Sequence, residues 1–553
     1  MTSRRDVMKL GAGSLIASAV GVASTAPPAA AQPAPGHVDR RGPWRRGIDG
    51  QRRADLGDGR YINPVFAGDH PDPTVLKDGA DYYASFASGD YGPGPLIWHS
   101  RDLLNWTPLG PVLTAPLGAI HAPELVRHRG RYFLYMAVAP LAPASPGGDP
   151  ERRAESRIFV VHAADIRGPW SVPTAIGVTG RGDPGHVVGE DGKRYLFLDG
   201  GHLVRLSDDG LKALGEPKKV YDGWRIPPDM INEGFSLDAA KIVRKDGFFY
   251  LFASEAGPAG PANGHLVSVA RARTLTGPWE NAPHNPLVRA DARDDPWWSR
   301  GRAVPVEGPD GRWWIVYHAY EKNLRSLGRQ TILEPIEWGE DGWPRALGGI
   351  LDVPLASPVA TPSASAQHGT ALAGPFALAD FGQRFAFFRP GANMMNRVSI
   401  ADGTLRLKGQ GEGPADASPL AMIAGDRRYD MSVEIAPGVG AEAGLLLFYD
   451  NRLFCGLAAR DGKLVRYKLG ALMSWPPFDL PSGERFCIRL VYKEDIASFY
   501  WSAEGKDWTR VMTFDVAGYN HNMAGGLASL RPALFVAGNG DARFAALAYN
   551  GAI

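Results

Sequence analysis

HPDPTVLKDGADYYASF (70–86) contains a layout that recurs four more times along the chain. The other copies are HAPELVRHRGRYFLYM (121–136), RGDPGHVVGEDGKRYLFL (181–198), NEGFSLDAAKIVRKDGFFYLF (232–252) and SRGRAVPVEGPDGRWWIVYH (299–318). Each copy has a polar residue beside Pro or Gly, a short apolar run, a turn that contains Gly, and a strand rich in aromatic residues. This order is typical of a β-hairpin. The aromatic residues of successive copies lie 50 to 64 residues apart, so the chain repeats one supersecondary unit.

A second pattern lies between the hairpins, in HSRDLLNW (99–106), HAADIRGPW (162–170) and RARTLTGPW (271–279). It fits the outer part of a sheet, which gives each unit about four strands. Five such sheets predict a β-propeller that closes around a central channel over residues 59–354. A β-sandwich with unrelated hairpins is the competing interpretation. The equal position of the polar residue in all five copies favours the propeller.

The residues at the start of the innermost strands are predicted to converge on this channel. They are Asp72, Glu124, Asp183, Glu233 and Arg302. Repulsion among the four carboxylates raises the pKa of some of them, and the arginine lowers that of others. Such an arrangement is typical of a catalytic site. Cleavage of a glycosidic bond uses two carboxyl groups in different protonation states, and like-charge neighbours help to keep the acid protonated.

Four segments carry a family resemblance: NPVFAGDHPDPTVLKDGADYY (63–83), RGDPGHVVGEDGKRYLF (181–197), NEGFSLDAAKIVRKDGFFYLFASEAG (232–257) and LGRQTILEPIEWGEDGWP (327–344). They resemble glycoside hydrolase family 43, and most closely its β-xylosidase and α-L-arabinofuranosidase branch. The resemblance implies that Asp72 is the general base, Glu233 the general acid, and Asp183 the carboxylate that tunes the acid. It further implies that Arg329 contacts the bound sugar, that the anomeric centre is inverted, and that no metal is needed.

Three positions depart from the family pattern. His121 stands where the family often has an aromatic sugar platform, and Glu124 takes the acidic position of that segment. Arg302 lies where many members have Gly-His-Gly. An arginine there argues against a histidine-ligated calcium on the axis, although it leaves a structural calcium open. We expect all three residues to influence substrate preference.

Aromatic residues of the first copy are further candidates for substrate binding. Trp98 and Phe86 could stack on a sugar ring. The alternative is that they fill the space between blades, which is the more common use of aromatic residues in a propeller.

The N-terminus has the layout of an export signal. SRRDVMK (3–9) precedes a weakly apolar stretch and a Pro/Ala segment that ends in AAA. This order is typical of a signal peptide, and the paired arginines resemble a twin-arginine signal. We predict a signal peptide over residues 1–31, a flexible leader over 32–58, and a periplasmic or secreted protein that is not held in the membrane.

Length and composition set the remaining limits. The chain has 553 residues, 44% of them hydrophobic, which predicts more than one domain. A net charge of +1 from 60 basic and 59 acidic residues argues against a nucleic-acid partner. Cys455 and Cys487 are the only cysteines. They could form one disulfide outside the cytosol or remain two small buried side chains.

The C-terminal part is predicted to be a second all-β domain. A linker over residues 355–374 precedes alternating strands over 375–553, separated by Asp-Gly, Glu-Gly and Asn-Gly turns. This indicates an antiparallel β-sandwich. It resembles the concanavalin-like sandwich that follows the propeller in this branch. The loop LMSWPPFDLPSGE (472–484), with Trp475 and Phe478, is predicted to reach the mouth of the site, with a plain strand-edge cluster as the alternative.

The leading hypothesis is an exo-acting, inverting hydrolase that releases β-D-xylose or α-L-arabinofuranose from plant-type oligo- or polysaccharides. An arabinanase- or galactanase-like hydrolase of another glycan is an alternative. A non-catalytic sugar-binding propeller is another. The family order of Asp72, Asp183 and Glu233 favours an enzyme, because a lectin has no need of three acids. No sequence feature predicts the oligomeric state.

Overall fold

Nearly all regular structure in this chain is β-sheet. The computed structural model describes residues 44–141, 155–230, 236–257, 264–360, 366–473 and 485–552. Within them the chain forms five blade-like sheets, two larger sheets and two small two-stranded ladders. The fold is all-β, a five-bladed propeller followed by an antiparallel β-sandwich, as the repeated hairpins predict.

Each propeller blade is an antiparallel sheet whose strands follow one another along the chain. From the innermost strand outwards, the strands are Thr74–Asp78, Asp81–Ser85, Leu96–Ser100 and Thr107–Pro111 in blade 1; Ala119–His128, Arg131–Ala139, Arg157–Ala163 and Thr174–Thr179 in blade 2; Gly185–Val188, Arg194–Leu198, His202–Arg205 and Lys218–Lys219 in blade 3; Leu237–Lys245, Phe248–Glu255, Leu266–Ala272, Glu280–Asn281 and Val288–Arg289 in blade 4; and Trp297–Glu307, Trp313–Glu321, Arg329–Trp338 and Pro344–Ala346 in blade 5. The five predicted hairpins are the two innermost strands of the blades.

The blades form a closed ring. The innermost strand of each blade contacts that of the next, and the innermost strand of blade 5 contacts that of blade 1. The two ends of the propeller meet in an antiparallel pair between Arg60–Tyr61 and Leu355–Ala356. The starts of all innermost strands are thereby directed to one central channel.

Aromatic residues of the second strands explain why the blades stack. Side chains alternate between the two faces of a strand, so Tyr82 packs towards blade 5 while Tyr83 packs towards blade 2. Phe249 and Tyr250 repeat this arrangement in blade 4, towards blades 3 and 5. Burial of a phenylalanine-sized side chain contributes roughly 1.5–3 kcal/mol. The paired aromatics of the repeat therefore stabilise the contacts between blades.

The sandwich consists of two antiparallel sheets. The larger contains Ala386–Phe388, Leu420–Ala421, Ala441–Phe448, Phe454–Arg460, Lys463–Lys468, Ala471–Met473 and Arg531–Gly538; the smaller contains Val398–Ala401, Thr404–Lys408, Arg428–Pro437, Phe486–Lys493, Ile496–Ser502, Thr509–Asp515 and Asp541–Asn550. Their facing sides form one apolar core. The propeller strand Tyr91–Gly92 extends the larger sheet by pairing with Ala386–Phe388, which joins the sandwich to blade 1.

Short helical turns connect the strands. They are the 3-10 turns Ile48–Gly50, Asp199–Gly201, Arg325–Leu327, Leu378–Asp380 and Met394–Arg397 and the α-helical turn His521–Ala524. Among the described residues, no helix has the length and apolar character that crossing a membrane requires.

Residues 44–58, which their composition predicts to be flexible, pack against both domains. The strands Arg45–Arg46 and Arg52–Arg53 pair with each other. Trp44 Nε1 donates to the carbonyl oxygen of Asn63 at 3.0 Å, and the amide of Arg52 donates to Asp426 Oδ1 at 2.8 Å. Asp426 lies far along the chain, so composition alone could not predict this packing.

The predicted linker is also partly packed. His368 packs half-buried against blade 1, where its Nδ1 accepts a hydrogen bond from the amide of Trp106 at 3.2 Å. Residues 361–365 lie outside the described residues.

Candidate active site

Four blades place a residue with left-handed backbone at the same position of the innermost strand. These residues are Asp72 (φ 54°), Ala122 (φ 42°), Asp183 (φ 54°) and Arg302 (φ 60°). The left-handed region costs a non-glycine residue roughly 1–2 kcal/mol, and such strain is found mainly at functional sites. All four residues line one small cavity at the centre of the propeller.

Asp72 is buried and surrounded by cationic groups. Its Oδ1 accepts a hydrogen bond from Arg329 Nη1 at 3.1 Å and lies 3.1 Å from Arg302 Nε. Burial alone would raise the pKa of Asp72, but the two guanidinium groups, with His318, lower it well below its ordinary value. Asp72 is therefore a carboxylate at neutral pH, the protonation state that a general base requires.

His318 supports the loop that carries Asp72. Its Nδ1 lies 3.1 Å from the amide nitrogen of Asp72 and 3.3 Å from Oδ1. Burial lowers the pKa of His318 to about 4, although Asp72 acts in the opposite direction. The ring is neutral at pH 7 and adds no cation to the site.

Arg302 connects three carboxyl groups. Its Nη1 and Nη2 both contact Asp183, with Nη2 at 3.3 Å from Oδ2. Nη2 also lies 3.9 Å from Asp238 Oδ2. Burial would lower the pKa of this guanidinium, but Asp183, Asp72 and Asp238 together raise it above its ordinary value. Arg302 is thus a permanent cation that holds these carboxyl groups around one centre.

Glu124 does not occupy the position that the repeat predicts. Ala122 has the left-handed backbone that matches Asp72, and Glu124 lies two residues further along the strand. The carboxylate of Glu124 is buried, pairs with Lys241 and accepts the amide of His186 at 3.1 Å. A bulge between His121 and Glu124 shifts the register of this strand. A bulge changes which side chains face the channel, and the hydrophobic alternation of the sequence does not reveal it.

The predicted acid Glu233 lies outside the described residues. Asp238, five residues later, lies inside them and was not predicted as a site residue. It is buried at the start of the innermost strand of blade 4. The signal that could have found it is its distance from the aromatic strand: Asp238 precedes Phe249 by 11 residues, close to the 10 residues from Asp72 to the equivalent Tyr82.

His121 and Arg329 line a second cavity beside the central one. Arg329 reaches from this cavity to Asp72, and His121 precedes Ala122 in the chain. The opposite wall belongs to the sandwich and includes Phe388, Tyr449 and Leu527. The sandwich therefore faces the site through these segments. The loop with Trp475 and Phe478 lies outside the described residues.

Phe86 and Trp98 belong to the packing of blade 1. Each is 6% exposed and stands edge-on to Phe66, with ring centroids 4.7 Å and 5.2 Å away. They border a cavity between propeller and sandwich, but they line neither the central cavity nor its neighbour. The structure thus gives these two predicted stacking residues a place in the packing of blade 1.

The described residues contain no group of three or more His, Cys, Asp or Glu side chains placed to hold a metal ion. The carboxyl groups at the centre face arginines instead. Proton transfer by carboxyl groups is the chemistry that this arrangement can perform, because a carboxylate held in its basic form lies close to further carboxyl groups.

A propeller with an ionised aspartate, two further carboxyl groups and two arginines at its axis defines a hydrolase of the two-carboxylate type. The model of the glycosyl hydrolases family 43 matches residues 61–344, just over half of the chain. The chain belongs to this family.

Individual relatives agree with this assignment. A xylan 1,3-beta-xylosidase of Vibrio sp is 28% identical over 320 residues, which cover 51% of this chain and 56% of the relative. The chain thus spans about half the length of that enzyme. A xylosidase/arabinosidase of Butyrivibrio fibrisolvens is 26% identical over 529 residues, 86% of this chain and 96% of the relative. The crystal structure of the GH43 BlXynB protein from Bacillus licheniformis superposes with a TM-score of 0.76 at 24% identity, covering 89% of this chain and 100% of that one.

Proposed function

We propose that this chain is an exo-acting, inverting glycosidase that releases β-D-xylose or α-L-arabinofuranose from the non-reducing ends of plant-type oligosaccharides. The observation that carries the proposal is the state of Asp72, which two arginines keep ionised at the wall of the central cavity. The names of the Vibrio and Butyrivibrio relatives support pentose as the sugar.

In this mechanism Asp72 accepts a proton from a water molecule that attacks the anomeric carbon. A carboxyl group on the other side of the sugar gives its proton to the departing oxygen. Arg329 fixes Asp72 and lines the neighbouring cavity, where the sugar would enter. Asp183 holds Arg302 in place through two nitrogens.

Exo action is supported by the cavity that His121 and Arg329 share with the sandwich. Its walls come from both domains. A site bordered on two sides accommodates a chain end more readily than the middle of a polymer.

The test is hydrolysis of 4-nitrophenyl β-D-xylopyranoside and 4-nitrophenyl α-L-arabinofuranoside, followed by xylo- and arabino-oligosaccharides, with the anomer of the first product read by NMR. We expect monosaccharide release with inverted configuration. Release of internal fragments would redirect the proposal to an endo-acting enzyme on arabinan or galactan. Binding without turnover of any of these glycosides would reduce it to a sugar-binding propeller.

We also propose that the enzyme acts outside the cytoplasm. The support is the layout of residues 1–31, with arginines at positions 4 and 5. Fusion of this segment to a reporter that is active only after twin-arginine export tests it. Substitution of both arginines by lysine should abolish export, and unchanged export would reject the twin-arginine route.

A further inference from the structure

A large cavity lies between blade 1 and the sandwich, apart from the catalytic centre. It takes in about 1180 Å³ of space, its open mouth included, whereas a site for one small molecule has roughly 300–1,000 Å³. It shares no described residue with the central cavity that Asp72 and Arg302 line. The cavity is therefore large enough for a ligand of its own.

Aromatic side chains form one wall of this cavity. Phe66, Phe86 and Trp98 come from the propeller, and Phe385 comes from the sandwich. All four side chains are buried and packed against other rings, so the wall exists before any ligand arrives. A preformed aromatic wall with a few polar groups is typical of a small-molecule site.

The same lining contains buried polar atoms without hydrogen-bond partners. Among the described residues, none is found for Tyr91 Oη, Arg52 Nε, Arg384 Nε and Thr370 Oγ1. Tyr91, Arg52 and Arg384 are only 7%, 4% and 5% exposed. Unpaired polar atoms are costly in a protein interior, and they are most often explained by water or a ligand. A small side-chain rotation brings such an atom to the cavity surface.

The charged groups of the lining are already paired. Each has an ion-pair partner within the described residues: Arg52 with Glu321, Arg53 with Asp55, Arg384 with Asp380, Asp426 with Arg46, and Arg531 with Asp69. Desolvation lowers the pKa of His70 and of His368 to about 4, so both imidazoles are neutral at pH 7. A charged ligand would have to compete with an existing pair, and the lining therefore favours a neutral one.

We propose that this cavity binds a neutral sugar ring, at a site separate from the catalytic centre. An arginine Nε can only donate a hydrogen bond, whereas the hydroxyl groups of Tyr91 and Thr370 donate or accept. A sugar ring offers hydroxyl groups that match both kinds of partner, and its C–H faces pack against aromatic rings. The choice of a pentose as the first ligand rests on the proposed function.

This site gives a second meaning to two residues of the sequence repeat. Phe86 and Trp98 are nominated for sugar stacking by the sequence, and they border this cavity instead of the centre. Asp69 and Arg531 line both this cavity and the one that His121 and Arg329 share with the sandwich. The two cavities thus adjoin.

The experiment follows the fluorine NMR resonance of Trp98 in the full chain labelled with 5-fluorotryptophan. The Trp98→Phe variant lacks this resonance and thereby identifies it. D-xylose, L-arabinose and D-galactose are the neutral probes, and D-glucuronate is the charged one. We expect a saturable shift with at least one neutral probe, at a dissociation constant in the millimolar range, and binding of D-glucuronate about tenfold weaker or less.

Two substitutions at Thr370 test whether the sugar lies in this cavity. Thr370 lines it, but lines neither the central cavity nor the one beside it. Thr370→Val keeps the shape of the side chain and removes its hydroxyl group, which should weaken binding about 2–10-fold. Thr370→Trp places an indole ring in the cavity and should abolish the shift.

Thr509→Val and Thr509→Trp are the matched controls. Thr509 is exposed at the start of Thr509–Asp515, the edge strand of the smaller sheet of the sandwich. Both variants should bind the neutral probe as the wild type does. The unfolding midpoint of every variant, measured without sugar, shows that the fold is kept.

Every outcome bears on the site. A Trp98 resonance that no neutral probe moves would overturn the proposal, as would a shift that Thr370→Trp retains. Binding of D-glucuronate as tight as that of the neutral probes would overturn the ligand class. If Thr370→Trp does not fold, wild-type affinity in Thr370→Val would overturn the proposal equally. A wild type that hydrolyses no pentoside but shows the Trp98 shift would remove the proposed function and keep this site, so the two failures are distinguishable.

Discussion

Two groups of largely buried charged residues lie on opposite sides of one strand of blade 5, Arg329–Trp338. The first, which we call the central cluster, consists of Asp72, Asp183, Asp238, Arg302 and Arg329. The second group, which we call the interface cluster, consists of Arg52, Glu321, Gln330 and Arg427 and joins the propeller to the sandwich. It has one carboxylate for two guanidinium groups. Arg329 and Gln330 are neighbours in one strand and face different clusters, because successive side chains point to opposite faces.

In the interface cluster, both carboxylate oxygens of Glu321 have partners. Its Oε2 accepts from Arg52 Nη2 at 2.9 Å and from Gln330 Nε2 at 2.8 Å, and its Oε1 contacts Arg427. Trp44 lies beside both arginines, with their guanidinium carbons 5.0 Å and 4.6 Å from its ring centroid. Burial would raise the pKa of Glu321, but the arginines lower it to about 2.

The two clusters differ in how carboxyl and guanidinium groups are shared among the described residues. Both oxygens of Glu321 accept hydrogen bonds or face a guanidinium group, so Glu321 stays ionised near pH 7. At the centre, one guanidinium group, that of Arg302, lies against the carboxyl groups of Asp72, Asp183 and Asp238.

The largest effect is expected from Asp72→Asn. The variant keeps the size of the side chain but cannot accept a proton from water. We expect kcat to fall by about 10²–10⁴-fold, measured on a 4-nitrophenyl pentoside with folding checked by circular dichroism. Glu321→Gln, in the interface cluster, should keep kcat per folded molecule within about threefold. An equal loss of kcat in both variants would break the distinction between the clusters.

The central cluster shows which site residues the sequence repeat can predict. The repeat placed Asp72, Asp183 and Arg302 together correctly, because blades of equal design present equivalent residues to one axis. Glu124 contacts the innermost strands of blades 3 and 4 but is not equivalent to Asp72, and Asp238 was missed, because bulges shift the register next to the axis. The partner of Glu124 is Lys241, on another blade, and no local pattern connects them.

The interface cluster was not predictable at all. Arg52 lies in a stretch whose composition suggests a flexible leader, and its partner Glu321 is 269 residues away. Glu321 ends a strand whose alternation indicates only a propeller blade. Contacts between domains depend on how two finished surfaces meet, and a single sequence does not contain that pattern.

A large loss of stability is expected from Glu321→Ala. The substitution leaves the buried guanidinium group of Arg52 and the partly buried one of Arg427 without their carboxylate, which costs about 3–5 kcal/mol. Thermal and urea unfolding of the variant measure the loss. Glu307→Ala, on the exposed end of the innermost strand of blade 5, is the control, with a side chain 48% exposed. A Glu321→Ala variant as stable as this control would show that packing alone joins the domains.

Acid should weaken the interface cluster in a predictable range. The pKa of Glu321 is about 2 in the folded protein and 4.5 in its ordinary state. A lowered pKa stabilises the folded state above pH 4.5, and this contribution is lost as the pH falls towards 2. The loss is about 3 kcal/mol over that range. Unfolding midpoints should therefore fall less steeply with acid in Glu321→Gln than in the wild type, and equal slopes would contradict the assignment.

A smaller effect is expected from Arg531→Met, which links the sandwich to the central cluster. Arg531 Nη2 pairs with Asp69 Oδ2 at 2.9 Å, and Asp69 Oδ1 accepts the amide of Arg329 at 3.1 Å. Loss of Arg531 should loosen Arg329 and thus its hold on Asp72. We expect kcat to fall about tenfold, equivalent to 1.4 kcal/mol.

The pH profile of kcat/KM shows whether Arg531 positions Arg329 or only stabilises the fold. If Arg329 holds Asp72 less tightly, the pKa of Asp72 rises, and the acidic limb of kcat/KM moves to higher pH. Arg531→Lys keeps the charge and should restore part of the limb position. A lower unfolding midpoint with an unmoved acidic limb would mean that Arg531 only joins the domains.

The smallest effect is expected from a reducing agent. Cys455 and Cys487 are both free thiols. They lie on different sheets of the sandwich. Cys455 faces the core between the sheets, whereas Cys487 alternates with the buried Phe486 and Ile488 and faces away from it. A disulfide needs Cα atoms within about 7 Å and side chains directed at each other, and these directions do not meet that condition.

The unfolding midpoint should therefore be the same with and without dithiothreitol, and Cys487→Ser should change stability by less than about 0.5 kcal/mol. Burial raises the pKa of both thiols, which leaves little thiolate to react. Two thiols should titrate in the unfolded chain before any reduction. A fall in the midpoint on reduction would mean that the two cysteines form a disulfide within the sandwich.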